Sequence, residues 1–204
     1  MQVYAVLYSG EGNFLMGHKP DSGYFFHNSN GVGGTVYPDG VVLNGAEKSA
    51  LPGGKLEGGD TVKGAQKEFQ EECGAKISFS SSALIIDQET YPLRATEVWK
   101  PIATGYCAAF FKVDDKDLAE IAYVIQETNL LQARTVMVKI VSGDITDYAT
   151  IPSSYPYCPV DNELEKAELW NLTTDAKQIA ALGKDEDTDW YCAILGQLKN
   201  IIGK

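Results

Sequence analysis

The 204-residue sequence predicts an α/β fold, with helices layered on a mixed β-sheet, and three observations lead there. Two short apolar runs, Val3 to Tyr8 and Asn13 to His18, flank Ser9-Gly10-Glu11-Gly12 and read as a hairpin. A glycine loop, Leu51-Pro52-Gly53-Gly54-Lys55-Leu56-Glu57-Gly58-Gly59-Asp60, runs into a carboxylate-dense segment that ends Lys67-Glu68-Phe69-Gln70-Glu71-Glu72-Cys73-Gly74. Helical patterns near Thr174 to Leu182 and Thr188 to Ile201 close the chain and complete an α/β/α sandwich.

After the first hairpin comes Pro20 to Ser49, where Gly31, Gly33, Gly34, Gly40 and Gly45 are interleaved with Tyr24, Phe25, Phe26 and Tyr37. A structureless loop of that length is uncommon, so it reads as a hairpin insertion at about residues 20–49, around Thr35 to Leu43 and near a substrate entrance. A plain surface hairpin is the alternative. Gly31-Val32-Gly33-Gly34-Thr35-Val36 is not a dinucleotide fingerprint, because Val36 stands where the third glycine belongs and no helix follows.

Thr61 to Cys73 forms a helix, since Asp60 or Thr61 can cap it and Gly64 is its only weak point. Glu68, Glu71 and Glu72 then share one face beside an apolar stripe of Ala65 and Phe69, and Gly74 suits a left-handed C-terminal cap. Like charges at this spacing repel by roughly 0.2–0.5 kcal/mol per pair. A hard dication turns that cost into binding, and magnesium favours a few carboxylates plus substrate phosphates. Pro52-Gly53-Gly54 and Gly58-Gly59 permit positive φ and close backbone approach, so the loop can present amides beside such a metal. A solvated acidic helix face is the bland alternative.

Further along, Ala75 to Phe79, Leu84 to Asp87 and Ala103 to Val113 read as strands. A helix starts at Asp114-Asp115-Lys116-Asp117-Leu118, with acids in its first turn, and runs to about Leu131. Arg134 to Val141 is strand-like, as is Glu163 to Trp170.

The segment Gly54 to Ala75 resembles the Nudix box, G-x5-E-x7-R-E-U-x-E-E-x-G-U, where U is a bulky aliphatic residue. Lys67 stands at the arginine position, Glu68 at the next glutamate, Phe69 at the first U, Glu71 and Glu72 at the paired glutamates, Gly74 at the last glycine and Ala75 at the final U. Three departures stand out. The upstream acid is Asp60, seven residues separate it from Glu68 where the pattern has eight, and Lys67 offers a point charge instead of a bidentate fork. Ala75 is also smaller than the usual residue.

The resemblance implies a single Nudix-type domain over residues 1–204 and a pyrophosphohydrolase acting on phosphoric anhydride bonds. Glu68, Glu71 and Glu72 would resemble the family's Mg²⁺ or Mn²⁺ ligands. The substrate would be a nucleoside diphosphate linked to another moiety: ADP-ribose, a nucleotide sugar, a dinucleoside polyphosphate or a nucleoside triphosphate. Glu71 is a candidate base, as are the remote Glu163, Glu165 and Glu120, and Lys67 stands beside the chemistry. Gly53 and Gly54 would meet substrate, as would Tyr91 of Tyr91-Pro92. Trp99, Tyr106 and Trp170 are available to stack on a base or to fill core.

A net charge of −11 and a pI near 4.6 argue against long nucleic acid as partner, because phosphate neutralisation needs clustered lysine and arginine. Cys73, Cys107, Cys158 and Cys192 are scattered, and His18 and His27 are the only imidazoles, which argues against zinc and for reduced thiols. No leader or membrane span is legible, so the expectation is a cytoplasmic protein, with a homodimer left open. Two other classes compete with the hydrolase: a catalytically silent Nudix-fold module that binds a nucleotide metabolite, and a structural protein with an acidic face.

Overall fold

The structure, a computed structural model, describes residues 1–27, 32–102 and 105–203. In order it forms β1 (Gln2–Ser9), β2 (Asn13–His18), β3 (Ser22–Gly23), β4 (Phe25–His27), β5 (Gly33–Thr35), β6 (Val41–Val42), β7 (Ser49–Ala50), β8 (Gly53–Lys55) and α1 (Thr61–Cys73). Strands β9 (Ile77–Phe79), β10 (Ala83–Ile86), β11 (Glu89–Pro92), β12 (Ala95–Trp99) and β13 (Tyr106–Val113) lead to α2 (Asp115–Val124), a π-helical turn (Ile125–Asn129) and α3 (Leu130–Val141). The chain closes with α4 (Thr150–Ser154), β14 (Lys166–Asn171), α5 (Ala176–Leu182) and α6 (Asp189–Ile202). Among the described residues no helix is long and apolar enough to cross a membrane.

The central sheet runs β12-β13-β1-β2-β14. It is mixed, because β1 pairs β13 in parallel, Gln2 opposite Tyr106 through Ser9 opposite Val113, while β2, β12 and β14 join antiparallel. Val3 to Ser9 are all buried, as a strand covered on both faces must be, and α1 and α2 both pack against it. Strands β1 and β2 meet at Tyr8 and Phe14, and further from that turn each takes a different partner. There β7 pairs β2 at Gly17 and His18, and β8 pairs β1 at Gln2 to Tyr4, so the glycine loop becomes part of the sheet beside α1.

Helix α1 forms as its sequence dictates. Asp60 Oδ1 caps it by accepting from the amides of Val62 at 3.0 Å and Lys63 at 3.1 Å, and Ala65, Phe69 and Cys73 are buried in the core. Gly64 is there for close approach, since a Cβ would lie 2.6 Å from Leu56 Cδ1 and 3.3 Å from Val3 Cγ1. The far end differs from expectation. Gly74 takes φ 153° and ψ 136° instead of a left-handed cap, and Asn129 Nδ2 donates to the Cys73 carbonyl at 2.8 Å. A side chain at Gly74 would strike that amide group, its Cβ 2.2 Å from Nδ2.

Two readings are corrected. Arg134 to Val141, expected as a strand, is helix α3, which continues from α2 through the π turn. Leu130, Ala133, Val136 and Ile140 recur three and four apart, and their burial outweighs the β-branched character of the run. The insertion pairs as an interrupted hairpin between residues 22–27 and 33–42, and not around Thr35 to Leu43. It is a ribbon in which β3 pairs β6 and β4 pairs β5, anchored by Phe25 in a second apolar cluster with Ala133, Val136 and Ile140 of α3. Gly31 of the glycine motif and Ala103 of an expected strand lie outside the described residues.

Candidate active site

Glu68, Glu71 and Glu72 leave α1 in two directions. Glu72 is buried at 3% exposure; its Oε1 accepts from the Gly53 amide at 3.2 Å, while Oε2 is buried with no hydrogen-bond partner. Burial, reinforced by Glu163, pushes its carboxyl well above the ordinary range, although Lys19 and the Gly53 amide pull the other way. Glu68 lies against Gly54, where a Cβ would fall 2.3 Å from Oε2. Burial first, then the charge of Glu71, raises its pKa to about 7. Gly53 is held as tightly, its absent Cβ 2.3 Å from Tyr4 Cδ1 and 2.5 Å from the Val3 carbonyl oxygen. The two glycines therefore serve close approach of β8 to β1 and α1, and the positive φ belongs to Gly58 and Gly59 at 70° and 78°.

Glu71 turns instead toward the insertion. His27 Nε2 lies 3.1 Å from its Oε1, and His27 Nδ1 lies 2.9 Å from Asp161 Oδ1. Burial disfavours a charged His27, but its bonds to Asp161 and the charge of Glu71 outweigh that and raise its pKa. Among the described residues, His27, Glu71 and Asp161 are the one group of three whose candidate ligand atoms all lie within 4.8 Å of one another. Lys67 bonds Glu57 Oε2 at 2.9 Å and stands 3.5 Å from Glu71 Oε1, so the acid paired with it is Glu57, while Asp60 caps the helix.

The segment Val160 to Glu163 draws these groups together. The amides of Val160 and Asp161 donate to the Glu71 carbonyl at 3.0 and 3.3 Å, which sets the Asp161 carboxylate beside the end of α1. Asn162 ties the ribbon down: its amide donates to Phe25 O at 2.9 Å and its Oδ1 accepts from the Tyr24 amide at 3.0 Å. Glu163 accepts from Lys19 Nζ at 2.9 Å. Burial opposes the Lys19 charge, yet Glu163 and Glu72 hold its ammonium above the ordinary lysine value. Five carboxylates, Glu68, Glu71, Glu72, Asp161 and Glu163, thus share one electrostatic neighbourhood.

Beside it opens a cleft of about 260 Å³ lined by Gly53, Gly54, Glu163, three lysines (Lys19, Lys48, Lys55) and three aromatics (Tyr4, Trp190, Tyr191). Of the residues expected from sequence, Gly53, Gly54 and Glu163 line it. Tyr91 does not. It is buried on β11 in a separate three-stranded sheet with β9 and β10, and its hydroxyl donates to Glu120 Oε1 at 3.3 Å; Glu120 does not line the cleft either. Glu165 pairs with His18 at 3.1 Å. Trp99 packs on Tyr106 and Trp170 on Phe14, as structural aromatics do. His27, Asp161, Lys19 and Trp190 were not singled out as site residues from the sequence, and only their convergence in space marks them.

No protein-family model matches the chain, and no curated protein does. Among solved structures, a NUDIX hydrolase from Nitrosomonas europaea aligns over 97% of this chain and 87% of that chain, with a TM-score of 0.37 and 14% identity. That likeness is too slight to carry function across.

Proposed function

We propose that this protein is a divalent-metal-dependent hydrolase of the diphosphate linkage in a nucleoside diphosphate joined to another moiety. One observation carries the reading: Glu68, Glu71, Glu72, Asp161 and Glu163 are electrostatically coupled around the end of α1, beside a cleft lined by Glu163, lysines and aromatic rings. Isolated buried carboxylates are costly, and Glu72 Oε2 has no hydrogen-bond partner among the described residues. Carboxylate oxygens suit a hard dication such as Mg²⁺ or Mn²⁺, and Glu68 and Glu72 at β8 would hold it with Glu71, whose carboxylate now faces His27 and would have to turn to join them.

Held by those residues, a dication would supply charge neutralisation for the diphosphate and a more acidic water. The protein's own groups do the rest. Lys19, Lys48 and Lys55 line the cleft and would attract phosphate oxygens, Lys48 from its ion pairs with Asp185 and Asp187, and half-buried Trp190, backed by Tyr4, provides a face on which a base can lie. The Gly53 amide fixes the Glu72 carboxylate. Glu163, at the cleft wall and bonded to Lys19, is the candidate to accept the proton of the attacking water, a role that would require Lys19 to release it.

Release of phosphate products from ADP-ribose, nucleotide sugars, dinucleoside polyphosphates and nucleoside triphosphates, with metal and with chelator, tests the proposal. A binding module without turnover is the second reading, favoured by the Lys19–Glu163 ion pair, which occupies the candidate base. Nucleotide binding with no product would select it.

A further inference from the structure

His27 reaches the carboxylate centre from the insertion, 44 residues before Glu71 in sequence, and is held there by more than one contact. Asp161 Oδ1 accepts from the His27 backbone amide at 2.7 Å and lies 2.9 Å from Nδ1. With the Nδ1 proton engaged by Asp161, Nε2 is the nitrogen that faces Glu71. The side chains of His27, Glu71 and Asp161 are 16%, 14% and 16% exposed, mostly shielded yet open to a small ion. A cavity of about 180 Å³, lined by His27, Glu71, Lys67, Gln70, Ala75 and Val160, gives access.

We infer that His27 Nε2 and Glu71 Oε1 together bind a divalent transition-metal ion, Mn²⁺ being the probe, with Asp161 orienting the imidazole. The 3.1 Å between the two atoms matches the edge of an octahedron whose metal–ligand bonds are about 2.1–2.2 Å, for which adjacent ligands stand about 3.0 Å apart. Asp161 is the carboxylate partner that metal-bound histidines commonly have on their other nitrogen, where it fixes the tautomer and ring angle. An imidazole ligand changes the selectivity of the centre, since nitrogen donors favour transition metals over magnesium. The insertion thereby contributes a ligand to the metal centre, and its ribbon is held in place by Phe25 and Asn162.

This inference rests on the proposed metal centre, and a spectroscopic test separates the two. Electron spin echo envelope modulation on untagged, Mn²⁺-loaded protein detects nitrogen coordinated to manganese. The expected result is a ¹⁴N modulation in the wild type that disappears in His27→Gln. Calorimetry should show Mn²⁺ affinity falling at least about tenfold in His27→Gln and in Asp161→Asn, with Mg²⁺ affinity changed less. Mn²⁺ bound without ¹⁴N modulation overturns the His27 assignment and leaves the carboxylate centre standing. A modulation that persists in His27→Gln assigns the nitrogen elsewhere and also overturns it. No site-specific Mg²⁺ or Mn²⁺ binding at all overturns the metal centre itself. Where His27→Gln fails to fold, His18→Gln decides the matter: a modulation kept in that variant assigns the nitrogen to His27, the other imidazole of the chain, and one lost there overturns the assignment.

Discussion

The amide of Gly53 donates to Glu72 Oε1 at 3.2 Å, while the other oxygen of that carboxylate is buried without a partner among the described residues. A strand and a helix are thus joined through a group that is only half satisfied. Burial and the charges of Glu163 and Glu68 make ionised Glu72 costly in the metal-free protein.

Glu72→Gln should therefore separate stability from activity. The amide keeps an oxygen for Gly53 and removes the buried charge, so chelator-treated protein should be more stable by about 1 kcal/mol in urea denaturation. Product release should fall by about a hundredfold or more. A variant as active as the wild type would remove Glu72 from the metal centre.

The two glycines of β8 should respond differently to alanine. At Gly53 the new Cβ meets the Val3 carbonyl, which cannot move aside, and Gly53→Ala should cost about 1–3 kcal/mol of stability. At Gly54 it meets the end of the Glu68 side chain, so Gly54→Ala should displace Glu68, weakening metal binding more than the fold. Denaturation and calorimetry on the pair check this contrast.

Glu68 sets a pH dependence. Its carboxyl titrates at about 7 in the folded protein, against about 4.3 in an unfolded chain. Between those values the folded state binds the extra proton, so its contribution is present at low pH and is lost as pH rises through about 7. Metal-free wild type should lose stability from about pH 4 to about pH 7 relative to Glu68→Gln, and little more above that. Saturating Mg²⁺ should shrink the difference, because the bound ion favours the ionised carboxylate.

Asn129 ends α1 from a distance. Its Nδ2 satisfies the Cys73 carbonyl, and Asn129→Ala would leave that buried acceptor unpaired beside a small void. A loss of about 2–4 kcal/mol is expected from thermal or urea unfolding. A loss below about 0.5 kcal/mol would mean that water takes over the cap.

The parts written in contiguous residues were legible in the sequence. Asp60 announced the start of α1, Ala65 and Phe69 its buried face, and the two apolar runs the first hairpin. Arg134 to Val141 misled because Val136, Val138, Ile140 and Val141 raise local strand propensity, whereas the buried spacing that decides the matter depends on Phe25, far away in sequence. The site divides in the same way. Glu68, Glu71 and Glu72 carry a local signature, but His27 and Asp161 lie 134 residues apart and nothing in either stretch names the other. Lys19 and Trp190, from opposite ends of the chain, share the cleft only after folding. Tyr91 shows the converse, a residue picked out by its neighbourhood in sequence that the fold buries elsewhere.

The most direct test of the central claim is product release from the nucleoside diphosphate panel by wild type and Glu72→Gln, with Mg²⁺ or Mn²⁺ and with chelator. The account predicts metal-dependent release in the wild type that chelator abolishes and that Glu72→Gln lowers by about a hundredfold or more. Release that is indifferent to both chelator and Glu72→Gln would contradict it.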